Sequence, residues 1–252
     1  MEIIPTLQQA KEKFTSIIDE NNLRNESVKV AIGTLTAEQA IGKPSRDDYA
    51  LLSGKEVMIE AQFRGSYGQA FTNQPEQFDG LLNEVLNLNL DTINNRAIFI
   101  ATLNAVCSHL GLIGKVRHCR NEEPEACGKE LANNLYTRFG KIKIAMIGFQ
   151  PAILENLVKI FGAENIRCSD LDRKNVGTNK FGTLIRDGNK ENMALIEWCD
   201  LLLPTGSTLV NNTFDDLYRK TVSGNKQFMM FGVTGAGIAA LLGLNIVCPR
   251  GR

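Results

Sequence analysis

Two thiols in this chain are placed for metal or nucleophilic chemistry. Cys119 follows His118, Cys127 precedes Gly128, and Glu122, Glu123 and Glu125 lie between them. Imidazole, thiolate and carboxylate form the ligand set of borderline and soft metals. The spacing is not a Cys-x-x-Cys pair, so it is a weak zinc pattern by itself. Cys127-Gly128 also stands just before a segment with helical spacing, Lys129 to Phe139. The positive end of that helix would favour a thiolate. The competing readings are a polar surface loop from His118 to Gly128 with incidental residues, or Cys127 packed as a small hydrophobe. Cys107, Cys168, Cys199 and Cys248 sit in apolar or strand-like settings, and all six cysteines are expected to be thiols. His109 lies on an apolar helix and reads as a structural residue.

A second group of residues follows short apolar runs. Gly148-Phe-Gln150-Pro151 is a strand-to-helix turn in which one glycine lets a ligand approach the backbone. It lacks the Gly-x-Gly-x-x-Gly pattern, which argues against the usual dinucleotide pyrophosphate turn. Ser169-Asp170-Leu-Asp172 follows at roughly 20 residues, where an acid in a Rossmann sheet accepts hydrogen bonds from ribose hydroxyls. A solvated turn or a helix cap is the alternative. Thr205-Gly206-Ser207-Thr208, continued by Asn211-Asn-Thr213, is a small polar loop with exposed backbone N–H groups suited to an anion or a carboxylate. Simple N-capping competes with that role. Ser207 lacks a Gly-x-Ser-x-Gly setting, so no serine hydrolase is indicated. Gly232 to Gly237 imitates a dehydrogenase turn, but it stands at the wrong end of the fold and no Tyr-x-x-x-Lys accompanies it.

The elements that position these residues change character along the chain. The first part reads as α+β: a helix over Leu7 to Asn22, strands over Val28 to Leu35, Glu56 to Phe63 and Gln69 to Thr72, and helices over Phe78 to Leu88 and Thr92 to Leu110. The last of these is apolar around much of its girth and should be buried. From about Gly128, short apolar runs alternate with helical patterns. Strands are expected at Ile142 to Ile147, Asn165 to Cys168, Asp200 to Leu203, Gln227 to Phe231 and Asn245 to Cys248. Helices are expected at Ala152 to Phe161, Lys190 to Trp198, Phe214 to Val222 and Gly237 to Leu242. That rhythm predicts a parallel sheet covered on both faces, with the strands' carboxyl ends on one edge, where ligands bind. The expected class is α/β, with an N-terminal α+β domain over residues 1–115 and a Rossmann-like domain over 116–252.

Lys plus Arg number 28 and Asp plus Glu number 28, so the formal charge is zero. A neutral chain without a basic run carries no electrostatic footprint for nucleic acid. No apolar stretch reaches the roughly 18 residues of a membrane helix. With no secretory pattern at Met1 to Pro5, the expected location is the cytoplasm.

Together these residues resemble the family described as "putative heavy-metal chelation", formerly a domain of unknown function. The likeness rests on Asn104, His118-Cys119, Cys127-Gly128 and Ile147-Gly148. It rests most on Thr205-Gly-Ser-Thr-Leu-Val-Asn211-Asn-Thr213, and it extends over nearly the whole chain. The chain departs from the family at Val233-Thr234, where a proline is usual. The resemblance implies an enolase-N-terminal-like domain before a Rossmann-like one, with a site in the cleft between them. The resulting expectation is a transition or heavy metal ion, or a metal chelate, at His118, Cys119 and Cys127. Gly148, Gln150, Asp170, Asp172, Thr205, Gly206, Ser207, Thr208 and Asn211 would hold a small molecule. The alternatives are an enzyme acting on a nucleotide-like or adenosyl compound, with a nucleotide-like cofactor, and a non-catalytic assembly factor. A homo-oligomer is compatible with all three.

Overall fold

The computed structural model describes residues 4–32, 46, 48–49 and 57–252. The N-terminal part starts with helix α1 (Thr6–Glu20), which buries Leu7, Ala10, Phe14 and Ile18 along one face. A four-stranded antiparallel sheet follows: β1 (Ser27–Ile32), β2 (Val57–Phe63), β3 (Ser66–Thr72) and β4 (Phe78–Leu81), in the order β3-β2-β1-β4. The expected ends of β1 at residues 33–35 and of β2 at residue 56 lie outside the described residues. The expected helix over Phe78 to Leu88 is divided. Its first four residues pair with β1, Phe78 against Val30 and Leu81 against Ser27, and only Leu82–Leu86 (α2) is helical. The apolar spacing there also suits a helix; the free edge of β1 decides the outcome.

Helix α3 (Ile93–His109) opens on Thr92, whose hydroxyl accepts from the Asn95 N–H at 3.4 Å. Every residue from Arg96 to Cys107 is buried, as its all-round apolar character requires. Asn104, fully buried in mid-helix, is one of three buried polar residues of the helix, with Arg96 and Thr102. Its amide donates to the carbonyls of Gln69, Val233 and Thr234 at 3.0, 3.3 and 3.1 Å, and its oxygen accepts the Gly237 N–H at 2.8 Å. One side chain thus ties α3 to β3 and to the Gly232–Gly237 turn.

The C-terminal part contains α4 (Glu123–Phe139), β5 (Ile144–Ile147), α5 (Pro151–Phe161), β6 (Ile166–Asp170), β7 (Asn179–Lys180), β8 (Thr183–Asp187) and α6 (Gly188–Trp198). After these come β9 (Leu201–Pro204), α7 (Ser207–Val210), α8 (Phe214–Ser223), β10 (Gln227–Phe228), β11 (Met230–Phe231), α9 (Ala236–Leu242) and β12 (Ile246–Val247). The main sheet has the order β10-β9-β5-β6-β8-β7, parallel except for the β7–β8 hairpin. Its five parallel strands therefore lie in the order 3-2-1-4-5, and the direction of winding switches between β5 and β9. The sequence reading missed the hairpin, and it joined β10 and β11 into one strand. β11 instead pairs with β12 in a separate two-stranded sheet.

Alternation along β5 shows how both faces are covered. Ile144 and Met146 enter the core beneath α4 and α5, while Ala145 and Ile147 enter a core shared with α1, α3, α6, α8 and the four-stranded sheet. Among the described residues, no helix is long and apolar enough to cross a membrane.

Candidate functional site

The turns after β5 and β9 meet at the switch point. Gly148 has φ +94°, and a side chain there would meet Thr205 Cγ2 at 2.6 Å. Only glycine fits both the backbone and the gap. Thr205 follows β9 and donates its N–H to Ile147 at 2.9 Å. Asp170, at the end of β6, organises the neighbouring turns. Its carboxylate accepts the Phe149 and Asp172 N–H groups, both at 2.8 Å, and the Asn175 amide at 3.3 Å. Burial raises its pKa, and these donors oppose that rise.

Two connected chambers open from this point. The smaller has a volume of about 240 Å³ and is walled by the hydroxyls and amides of Ser169, Asn192, Thr205, Ser207, Thr208, Asn211 and Thr213 together with the apolar Ile147, Leu171, Met193 and Leu217. The larger, about 520 Å³, is walled by Phe71, Pro124, Leu131, Phe149, Ile153, Phe231 and Val247, with Gln150, Asp172, Gly232 and Thr234. Gly148, Asp170, Leu171, Thr205, Ser207 and Asn211 border both. The larger volume lies within the roughly 300–1,000 Å³ of small-molecule sites, and the smaller falls just below that range.

His118, Cys119, Cys127 and Cys248 lie together on the wall of the larger chamber. Each sulfur arrives from a different segment. Cys127 belongs to α4, which begins at Glu123, with Pro124 in its first turn. The expected loop up to Gly128 is therefore helical in its second half, because Pro at the helix start and acids in the first turn suit an N-terminus. Cys119 precedes that helix. Cys248 follows β12 and is held by the chain end: the Arg252 carbonyl accepts the Val116 and Arg117 N–H groups at 2.9 and 2.6 Å, and the Arg252 N–H returns to Arg117 at 2.8 Å.

The Cys119 and Cys248 thiols hydrogen-bond to the Cys127 sulfur, and the Arg250 N–H also points to it. These donors, with His118 nearby, hold Cys127 far below the ordinary thiol range against the opposing effect of burial. The bond to Cys127, reinforced by burial, pushes the Cys119 and Cys248 thiols up. Burial lowers the His118 pKa and keeps the ring neutral. Its Nδ1 lies 2.6 Å from the Cys119 carbonyl, so Nδ1 carries the proton and Nε2 keeps a lone pair. The neighbouring acids are engaged elsewhere. Glu125 accepts from Tyr49 at 2.7 Å and from Arg46 at 3.3 Å, and Glu123 accepts the Arg120 N–H at 2.6 Å. Among the described residues, no three His, Cys, Asp or Glu side chains stand in an arrangement that could hold a metal ion as it is. The thiols are arranged as hydrogen-bond partners of one sulfur.

Residues 133–247 match the model of the DUF364 family, described as "Putative heavy-metal chelation". The fold is similar to that of a DUF364 protein of unknown function from Pyrococcus horikoshii, at 15% identity and TM-score 0.53, over 92% of this chain and 80% of that one. A DUF364 protein of unknown function from Desulfitobacterium hafniense gives 12% identity and TM-score 0.48, over 74% of this chain and 72% of that one. No curated protein matches the chain significantly.

The DUF364 match includes the Thr205 loop, whereas Cys119, Cys127 and Cys248 all lie outside its limits. Of the residues expected to hold a metal or small molecule, Gly206 alone borders neither chamber: it packs against the Gly232–Gly237 turn, where an added Cβ would meet the Gly235 nitrogen at 2.6 Å. Gln150 borders the larger chamber and also caps α5, accepting the Ile153 N–H at 2.6 Å. His109 packs edge-on against Phe63, a structural role. The sequence reading missed Cys248, which it placed as the final residue of the last strand. Its position one residue past the last strand, on the same edge as the other turns, was the available signal.

Proposed function

We propose that the protein binds a thiophilic metal ion at the thiol wall of the larger chamber. Cys127, Cys119 and Cys248 supply the sulfurs, and neutral His118 lines the same wall, its Nδ1 3.9 Å from the Cys119 sulfur. The observation that carries this reading is the convergence of three cysteines from three separate segments on one wall of the cleft. Three sulfurs and an imidazole favour soft and borderline ions over calcium or magnesium. The fit is one of donor chemistry. Ligation requires Cys119 and Cys248 to exchange their hydrogen bonds to Cys127 for bonds to the metal. Each loses a proton in doing so, which ties metal uptake to proton release.

The test is a titration of metal-free, reduced protein with Cd²⁺ under anaerobic conditions, followed by thiolate-to-metal absorption in the ultraviolet. Wild type is expected to take up one equivalent and to release protons. Cys127→Ser should lose this uptake, whereas Cys168→Ser, altered within the core, should keep it. Equal uptake by wild type and Cys127→Ser, or none by wild type, would refute the proposal.

A further inference from the structure

The cleft is far larger than a metal ion requires. An ion held by the thiol wall leaves most of the 520 Å³ chamber and all of the 240 Å³ chamber unused. The two chambers also differ in chemistry. The larger presents the aromatic side chains of Phe71, Phe149 and Phe231, which suit a flat ring. The smaller presents hydroxyls and amides.

Charge decides what kind of polar group the smaller chamber suits. Its lining includes two carboxylates, Asp170 and Asp216, against one cation, Lys190, whose ammonium is 3.6 Å from Asp187. Asp216 is in turn paired with Arg219, so the described lining offers an anionic arm no cation that is not already paired. A neutral, hydroxyl-bearing arm would meet matched donors and acceptors. Asn211 is the contact best placed to read such an arm. It borders both chambers, is only half-exposed, and its side-chain amide bonds to no other group among the described residues. Ser207, which also borders both, has only the Thr205 hydroxyl at 3.5 Å. Gly148 borders both chambers, and a Cβ there would fill the gap to Thr205.

We infer that the cleft binds a neutral nucleoside-like ligand, its flat heterocycle in the aromatic chamber and its hydroxylated arm in the polar chamber, contacted by Asn211 and Ser207. This goes beyond the metal-binding reading and does not depend on it, because none of the residues invoked is a thiol.

Isothermal titration of the metal-free full-length protein with adenosine, guanosine and uridine, each beside its free base, tests the inference. At least one nucleoside is expected to bind more tightly than its base, because only the nucleoside fills both chambers. Asn211→Leu should weaken that nucleoside at least tenfold and change base binding by less than twofold. Ser207→Ala should act in the same direction. Circular dichroism on each variant reports folding separately. The inference is overturned if no nucleoside binds at millimolar concentration, or if Asn211→Leu and Ser207→Ala both leave the nucleoside-to-base ratio unchanged. Failure of cadmium uptake with retained nucleoside binding would refute the metal reading alone.

Discussion

Replacing Asn104 by leucine, which is close to it in volume, should destabilise the protein by about 4 kcal/mol. Asn104 is fully buried, and its amide gives two hydrogens to three carbonyls while its oxygen accepts the Gly237 N–H. Leucine fills the space and leaves all four groups without this partner. The Gly237 N–H, in the first turn of α9, has no intrahelical acceptor, and stranding it costs about 2 kcal/mol. Each carbonyl keeps other lone-pair capacity, so its loss is smaller, roughly 0.5–1 kcal/mol. The total is a large part of a typical stability of about 5–15 kcal/mol. It corresponds to a factor of roughly 10³ in the folded-to-unfolded ratio. Urea denaturation followed by far-ultraviolet circular dichroism measures the change, read at constant slope. Thr102, in the same helix, is an internal control. Its hydroxyl is buried without a hydrogen-bond partner among the described residues, so Thr102→Val should be neutral or stabilising. A loss below 1 kcal/mol for Asn104→Leu, or an equal loss for Thr102→Val, would refute the account of Asn104 as the tie between α3, β3 and the Gly232–Gly237 turn.

Two further expectations follow from the same structure. An ordinary thiol with pKa near 8.5 should lose alkylation rate about tenfold per pH unit on acidification, whereas Cys127, held as thiolate by its three donors, should keep a nearly flat rate from pH 8 to pH 5. Mass spectrometry of iodoacetamide-treated, metal-free protein resolves the site, and a tenfold-per-unit decline at Cys127 would contradict the assignment. Gly128 lets α4 rest directly on α5, since a Cβ would meet the Ala152 carbonyl oxygen at 2.4 Å. Gly128→Ala should therefore cost about 1–3 kcal/mol by forcing the helices apart, despite alanine's better helix propensity. A stabilised variant in thermal unfolding would show that the helices yield without strain.

Periodicity alone determined most of the elements. The alternation of short apolar runs with amphipathic helices identified the parallel sheet, and the all-round apolar character of the segment after Thr92 marked the buried helix. These are local properties, set by which side of a chain must avoid water. The same logic placed Gly148, Asp170 and Thr205 at one sheet edge, because right-handed crossovers put every parallel strand's end there. Where two local readings were equally good, tertiary pairing chose between them. Phe78 to Leu81 became a strand because β1 offered a free edge, and Gln227 to Phe231 divided because β9 and β12 each claimed a part. The thiol cluster depended most on long-range structure. Cys127 and Cys248 are far apart in sequence, and no spacing rule relates them. The docking of the chain end on Val116 and Arg117 brings Cys248 to Cys127, and that contact turns three unremarkable thiols into one thiolate with two donors. The sequence alone therefore located the edge. The chemistry of its far wall was decided by tertiary structure, because sulfur acidity depends on which donors surround it, and those donors come from separate segments.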